Sequence, residues 1–184
     1  MSKVNQQPAL APDLQRHVGT VVSALARALA LLGGLVLVLI AMLTVISVFG
    51  RALIAYGLGP VPGDYELVEA GCAFAVFAFL PWCQLQRAHA TVDVFVAWAS
   101  PRAQARLSLA SNLMLTIVTT VVAWQLGLGL ADKASYGETT FILQMPVWYG
   151  YAGALIGAAM FAVACAYTAW RSLNEALGAG ERVS

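Results

Sequence analysis

Charge is what this sequence has least of. Only 10% of its residues are Asp, Glu, Lys or Arg, where a soluble domain carries about a quarter. Most of its surface therefore does not face water. Net charge is +1 and the basic residues are scattered. With no basic stripe there is no electrostatic footprint for nucleic acid. Histidine is nearly missing too. His17 falls in the N-terminal tail and His89 in an internal loop, so two axial ligands facing each other across a membrane haem are excluded. The three cysteines, Cys72, Cys83 and Cys165, form no CxxC pair and sit in apolar runs. They read as small packing hydrophobes. HExxH, GxxxxGK[ST] and GxSxG are all missing. The expectation is a chain without catalytic, cofactor or metal residues of its own.

Hydrophobic residues, by contrast, make up 60% of the chain. They are gathered into four uncharged runs. Arg27 and Arg51 bound the first, Glu69 and Arg87 the second, and Arg106 and Asp132 the third. The fourth follows Glu138 and is divided by Pro146. A bilayer core of about 30 Å needs roughly 20 apolar residues as a helix. Backbone in lipid must satisfy its own hydrogen bonds, which leaves helices or closed barrels. These runs are continuous rather than alternating, so they predict helices. The expected spans are 28–50, 64–86, 102–131 and 147–170. The first is too long for the apolar core of a cleaved signal peptide.

Lys and Arg set the orientation. With the N-terminus inside, the cytoplasmic side holds Lys3, Arg16, Arg27, Arg87, Arg102, Arg106, Arg171 and Arg182, and the outer side only Arg51 and Lys133. The expected fold is an all-α integral membrane protein with four transmembrane helices, N-in and C-in. A cytoplasmic segment 1–26 precedes the membrane domain 27–172, and a tail 173–184 follows.

The connections carry the remaining signals. Gly63 or Asp64 is a candidate N-cap for the second helix, after Pro60 and Pro62. Glu66, in its first turn, suits the positive end of the helix dipole. In the inner loop Val92, Phe95, Val96 and Ala99 recur at helical spacing. They predict a short amphipathic interfacial helix between helices two and three, with an ordinary packed turn as the alternative. Ser100-Pro101 reads as N-cap and first residue of helix three. The second outer loop contains Phe141, Ile142, Leu143 and Met145 and is apolar enough to dip toward the membrane. Asn112, near the inner end of helix three, is expected to hydrogen-bond between helices.

Candidate partner contacts follow. Arg51, Asp64, Glu66 and Glu69 cluster outside; Arg87, His89 and Asp93 cluster inside. Gly153 and Gly157 form a small-xxx-small pair on helix four, of the kind that lets helices approach closely. The ion clusters read either as loosely paired interfacial charge or as contact points for another subunit. Every Asp, Glu, Lys and Arg lies at a span boundary or outside it, whereas a transport pathway usually leaves ionisable groups inside. Four helices without pathway residues describe a subunit.

The stretch 63–95, GDYELVEAGCAFAVFAFLPWCQLQRAHATVDVF, resembles a known family: the small membrane subunit of tripartite ATP-independent periplasmic (TRAP) transporters. In that family a Glu opens helix two. After the span come a basic residue, a His and a Val-Asp-hydrophobic run, matched here by Glu66, Arg87, His89, Val92 and Asp93. Arg51 after helix one and Pro146-Val147-Trp148 before helix four resemble the family pattern as well. The likeness extends over 29–170; Tyr65 and Ala90-Thr91 depart from common family residues. The resemblance implies a small scaffold subunit in a bacterial inner membrane, packed beside a large elevator-type permease subunit. That partner would hold the substrate and sodium sites, fed by a periplasmic binding protein delivering a carboxylate. Two other readings stand beside it. One is a self-contained dimeric exporter using Glu69; the other is a membrane anchor of a redox complex.

Overall fold

The computed structural model describes residues 12–86 and 101–181, with side chains over 17–86 and 107–174. Among these residues there are four long helices: α1 (Pro12–Ala52), α2 (Asp64–Leu85), α3 (Pro101–Tyr136) and α4 (Trp148–Glu181). A short 3-10 turn, Ile54–Tyr56, follows α1. Each of the four contains a stretch long and apolar enough to cross a membrane. The expected interfacial helix at 92–99 lies outside the described residues.

Three of the helices outrun their expected spans. α1 begins at Pro12 and has 41 residues, about 60 Å at 1.5 Å per residue. Proline suits a first helical position, and nothing stronger than Gly19 interrupts the following residues. Val22 and Ala26, one turn apart, are buried. Gly19 lies against the ring of Tyr167 on α4. The N-terminal extension of α1 is thus held by packing on α4. α3 likewise continues to Tyr136 and α4 to Glu181.

The helices stand in the spatial order α1, α2, α4, α3. α1 packs along α2, α2 along α4, and α4 along α3. Glycines mark the close approaches. Gly33 lies against Ala75 and Ala78, and Gly71 against Val36 and Ile40. These points fall at seven-residue intervals on both helices, the spacing that keeps one seam facing a partner. Ser47 against Asp64 continues the same series. Between α2 and α4, Gly150 lies against Ala70, Gly153 against Phe74 and Gly157 against Phe77. A Cβ on Gly157 would stand 2.7 Å from the Phe77 carbonyl carbon. Pro81 is fully buried on the same part of α2. Having no N–H, it cannot donate to the Phe77 carbonyl one turn back. The buried core of the four helices is built mainly from small residues: Ala75, Ala78, Ala154, Ala158, Ala164 and Cys165. Association in lipid relies on such close packing, because lipid tails are as apolar as the side chains they replace.

Candidate functional site

Two polar assemblies stand at opposite ends of the helices, called outer and inner after the orientation that Lys and Arg predict. The outer one is organised by two acids at the start of α2. Gly63 caps this helix with φ 75°, a left-handed conformation that favours glycine. Leu143 of the second outer loop packs against the space where a Cβ would be. Asp64 then reaches α1 and the first outer loop. Its Oδ2 accepts from the Ser47 hydroxyl, and Ser47 Oγ accepts from Val61 N at 3.3 Å. Arg51 Nη2 lies 3.5 Å from the same carboxylate but is largely exposed, so that ion pair contributes little.

Glu66 serves the second loop. Its Oε1 accepts from Ile142 N at 2.8 Å and its Oε2 from Leu143 N at 3.0 Å. Successive backbone N–H groups around one carboxylate make an anion nest. The loop itself is a small hairpin. Thr139 bridges Pro146, Thr140 N donates to Met145 O at 2.8 Å, and Val147 N donates to Glu138 O at 3.0 Å. Gln144 takes φ 53° at the turn, and Lys133 pairs with Glu138 at 2.6 Å. Phe141 at the tip is 96% exposed, and Ile142 beside it is exposed too. The sequence predicted a dipole partner in Glu66; the structure gives its carboxylate to a loop of distant sequence.

Glu69 lies on the open stripe of α2 with Tyr65, Cys72 and Val76. Its neighbour Ala70 meets Gly150, beside the aromatic pair Trp148 and Tyr149 that opens α4. Such rings prefer the headgroup level, so Glu69 stands at interfacial depth. Gly153 and Gly157, candidates for contact with another subunit, are filled within the chain by Phe74 and Phe77 of α2. Arg87, His89 and Asp93 lie outside the described residues.

The inner assembly joins three helices. Gln84 Nε2 on α2 donates to Asn112 Oδ1 on α3 at 3.1 Å and to Thr168 Oγ1 on α4 at 2.9 Å. Asn112 Nδ2 donates to Ser172 Oγ on α4 at 2.7 Å. Gln84, Thr168 and Ser172 are buried. Sequence reading found Asn112 but missed these three partners. The signal was there in the matching inner depth of Gln84 and Asn112. Replacing Gln84 with Leu leaves Asn112 Oδ1 and Thr168 Oγ1 each short of a donor. The expected loss is about 1–3 kcal/mol, read as lower thermal stability of the purified chain in detergent, with insertion unchanged.

Chemically, both assemblies bind protein to protein. Among the described residues no group of three or more His, Cys, Asp or Glu is placed to hold a metal ion. No curated protein and no solved structure matches this chain. A family model described as "Tripartite ATP-independent periplasmic transporters, DctQ component" matches residues 40–175. That match takes in the end of α1, all of α2 and α3, both outer loops and the packed part of α4. The chain belongs to the DctQ family: it is the small membrane subunit of a TRAP transporter, a transporter component and not an enzyme.

Proposed function

We propose that this subunit is the static scaffold of a sodium-coupled importer of carboxylates. It lies in a bacterial inner membrane with both termini in the cytoplasm and packs against the large permease subunit. The large subunit holds the substrate and sodium sites and moves; this chain widens the frame against which it moves. The periplasmic binding protein meets the outer face, where Arg51, Tyr56, Tyr65 and Phe141 are exposed.

One observation carries this reading. The four helices are unbroken, and no Asp, Glu, Lys, Arg or His occurs in 28–50, 70–85, 107–131 or 148–170. Coupled transport of a charged substrate uses ionisable groups or broken helix ends near the membrane midplane. Neither is offered by these spans, and the polar groups they do hold are amides and hydroxyls.

Proteoliposomes test it. They would contain the large permease partner with or without this subunit, plus the binding protein outside and a panel of organic acids. Uptake is expected only with both membrane subunits present and only with an inward sodium gradient. Uptake by this chain alone, or undiminished uptake without it, would refute the scaffold role.

A further inference from the structure

The two edge helices are equally bare but not alike. In both α1 and α3, 6% of the most apolar stretch is buried, against 44% in α4. On α1 the open residues are Leu31, Leu32, Leu35, Val38, Met42, Val45, Ile46 and Phe49. The polar residues there are already satisfied: Thr44 donates to Ile40 O, and Ser47 is buried against Asp64. That face has the chemistry of lipid tails.

α3 differs near its middle. Gly129 lies against Tyr151 and Asn112 bonds Ser172, so the middle of the uncharged stretch 148–170 of α4 stands level with Val122 on α3. Trp124 and Gln125 follow Val122 within about one helical turn, roughly 5 Å along the axis. Both are exposed. Among the described residues no hydrogen bond reaches the Trp124 indole or the Gln125 amide. Gln carries two donors and an acceptor, and Trp one donor. Trp belongs at the interface rather than the bilayer centre, and an unpaired amide in hydrocarbon is unfavourable. Trp124 belongs to the series Met114, Ile117, Val121, Trp124 and Leu128, alternating three- and four-residue steps, all exposed. Gln125 flanks this row. The row points away from α4, which meets the opposite side of α3 through Asn112 and Gly129.

We infer that this face of α3 is the seat of the large permease subunit. A transmembrane helix of that subunit lies along the row from Met114 to Leu128. It presents a hydrogen-bonding side chain at mid-depth to Gln125 and Trp124. α1 forms the opposite, lipid-facing edge. The inference rests on the scaffold reading and adds which edge of the row is covered, and by what chemistry.

Photo-crosslinking in the intact complex tests it. A photoreactive residue at Val121 or Leu128 is expected to give adducts with the large subunit; one at Leu35 or Met42 is expected to give lipid adducts. Large-subunit adducts from α1 but not α3, or only lipid or self-adducts from α3, overturn the inference. Gln125→Leu supplies the second measurement. Recovery of the large subunit with the tagged chain should fall roughly threefold to thirtyfold, the range of one interhelical hydrogen bond. The isolated chain should melt no lower than before, and Gln125→Asn should restore part of the recovery. Unchanged recovery with Gln125→Leu overturns the pairing. If the unsubstituted chain recovers no large subunit at all, the scaffold reading itself fails and this inference falls with it.

Discussion

Gly157→Leu is expected to abolish the folded subunit. The Cβ alone would stand 2.7 Å from the carbonyl carbon of Phe77 and 2.8 Å from its oxygen. The obstacle is backbone, which cannot turn aside as a flexible side chain does. α2 and α4 would have to separate along the seam where Gly150, Gly153 and Gly157 meet Ala70, Phe74 and Phe77. Overpacking a tight core costs about 1–3 kcal/mol and sometimes more; a whole leucine against backbone belongs at or above the upper end. Gly34→Leu is the matched control, since nothing lies within 4 Å of a Cβ there. The comparison is read from melting in mild detergent and the amount of subunit in membranes. Gly157→Leu should lose both, and Gly34→Leu neither. Equal behaviour of the two variants would mean that α2 and α4 do not pack as described.

Glu66→Gln is expected to release the outer hairpin while leaving the helices intact. The carboxylate accepts from Ile142 N and Leu143 N, one on each oxygen. An amide keeps one acceptor and turns an NH₂ group toward the other backbone donor. The substitution is nearly isosteric, so it replaces an attraction with a donor–donor conflict and adds no bulk. It also discards the charge that makes such bonds about twice as strong as neutral ones. Hydrogen exchange at Ile142 and Leu143 should accelerate by about tenfold, the effect of losing one net hydrogen bond of ordinary strength. Exchange in α2 and α4 should not change. Protection that persists at both amides would show that the hairpin is held by Leu143 on Gly63 and not by the carboxylate.

Much of this architecture is legible as gaps between charges, because lipid excludes charge. The spans were found that way, and Pro101 opens α3 as expected. The same logic explains what it missed. Beyond the lipid, helices tolerate charge, so the extension of α1 back to Pro12 left no gap to detect. Its signs were Val22 and Ala26 one turn apart and the small Gly19 where Tyr167 lies. Gly153 and Gly157 announced a close approach but not the helix approaching; a glycine stripe reads the same whether its neighbour is α2 or another chain. Gln84 lies just before Arg87, where a polar residue needs no partner to be explained. Its burial depends on Thr168, a partner 84 residues away. Glu66 hid in the same way, because an acid in a first helical turn already has a local reason to be there.

The spatial order α1, α2, α4, α3 has a consequence for how the chain is made. Synthesis delivers α3 to the membrane before α4, yet α3 finds its packing surface on α4. Until α4 arrives, the described neighbour of α3 within its own chain is α2 at Gln84. α2 and α3 then hold Gln84 and Asn112 with only each other as partners, and Thr168 and Ser172 are still to come. The fourth helix to be made therefore becomes an inner member of the row. It enters between two helices already in the bilayer and completes the inner hydrogen bonds of both.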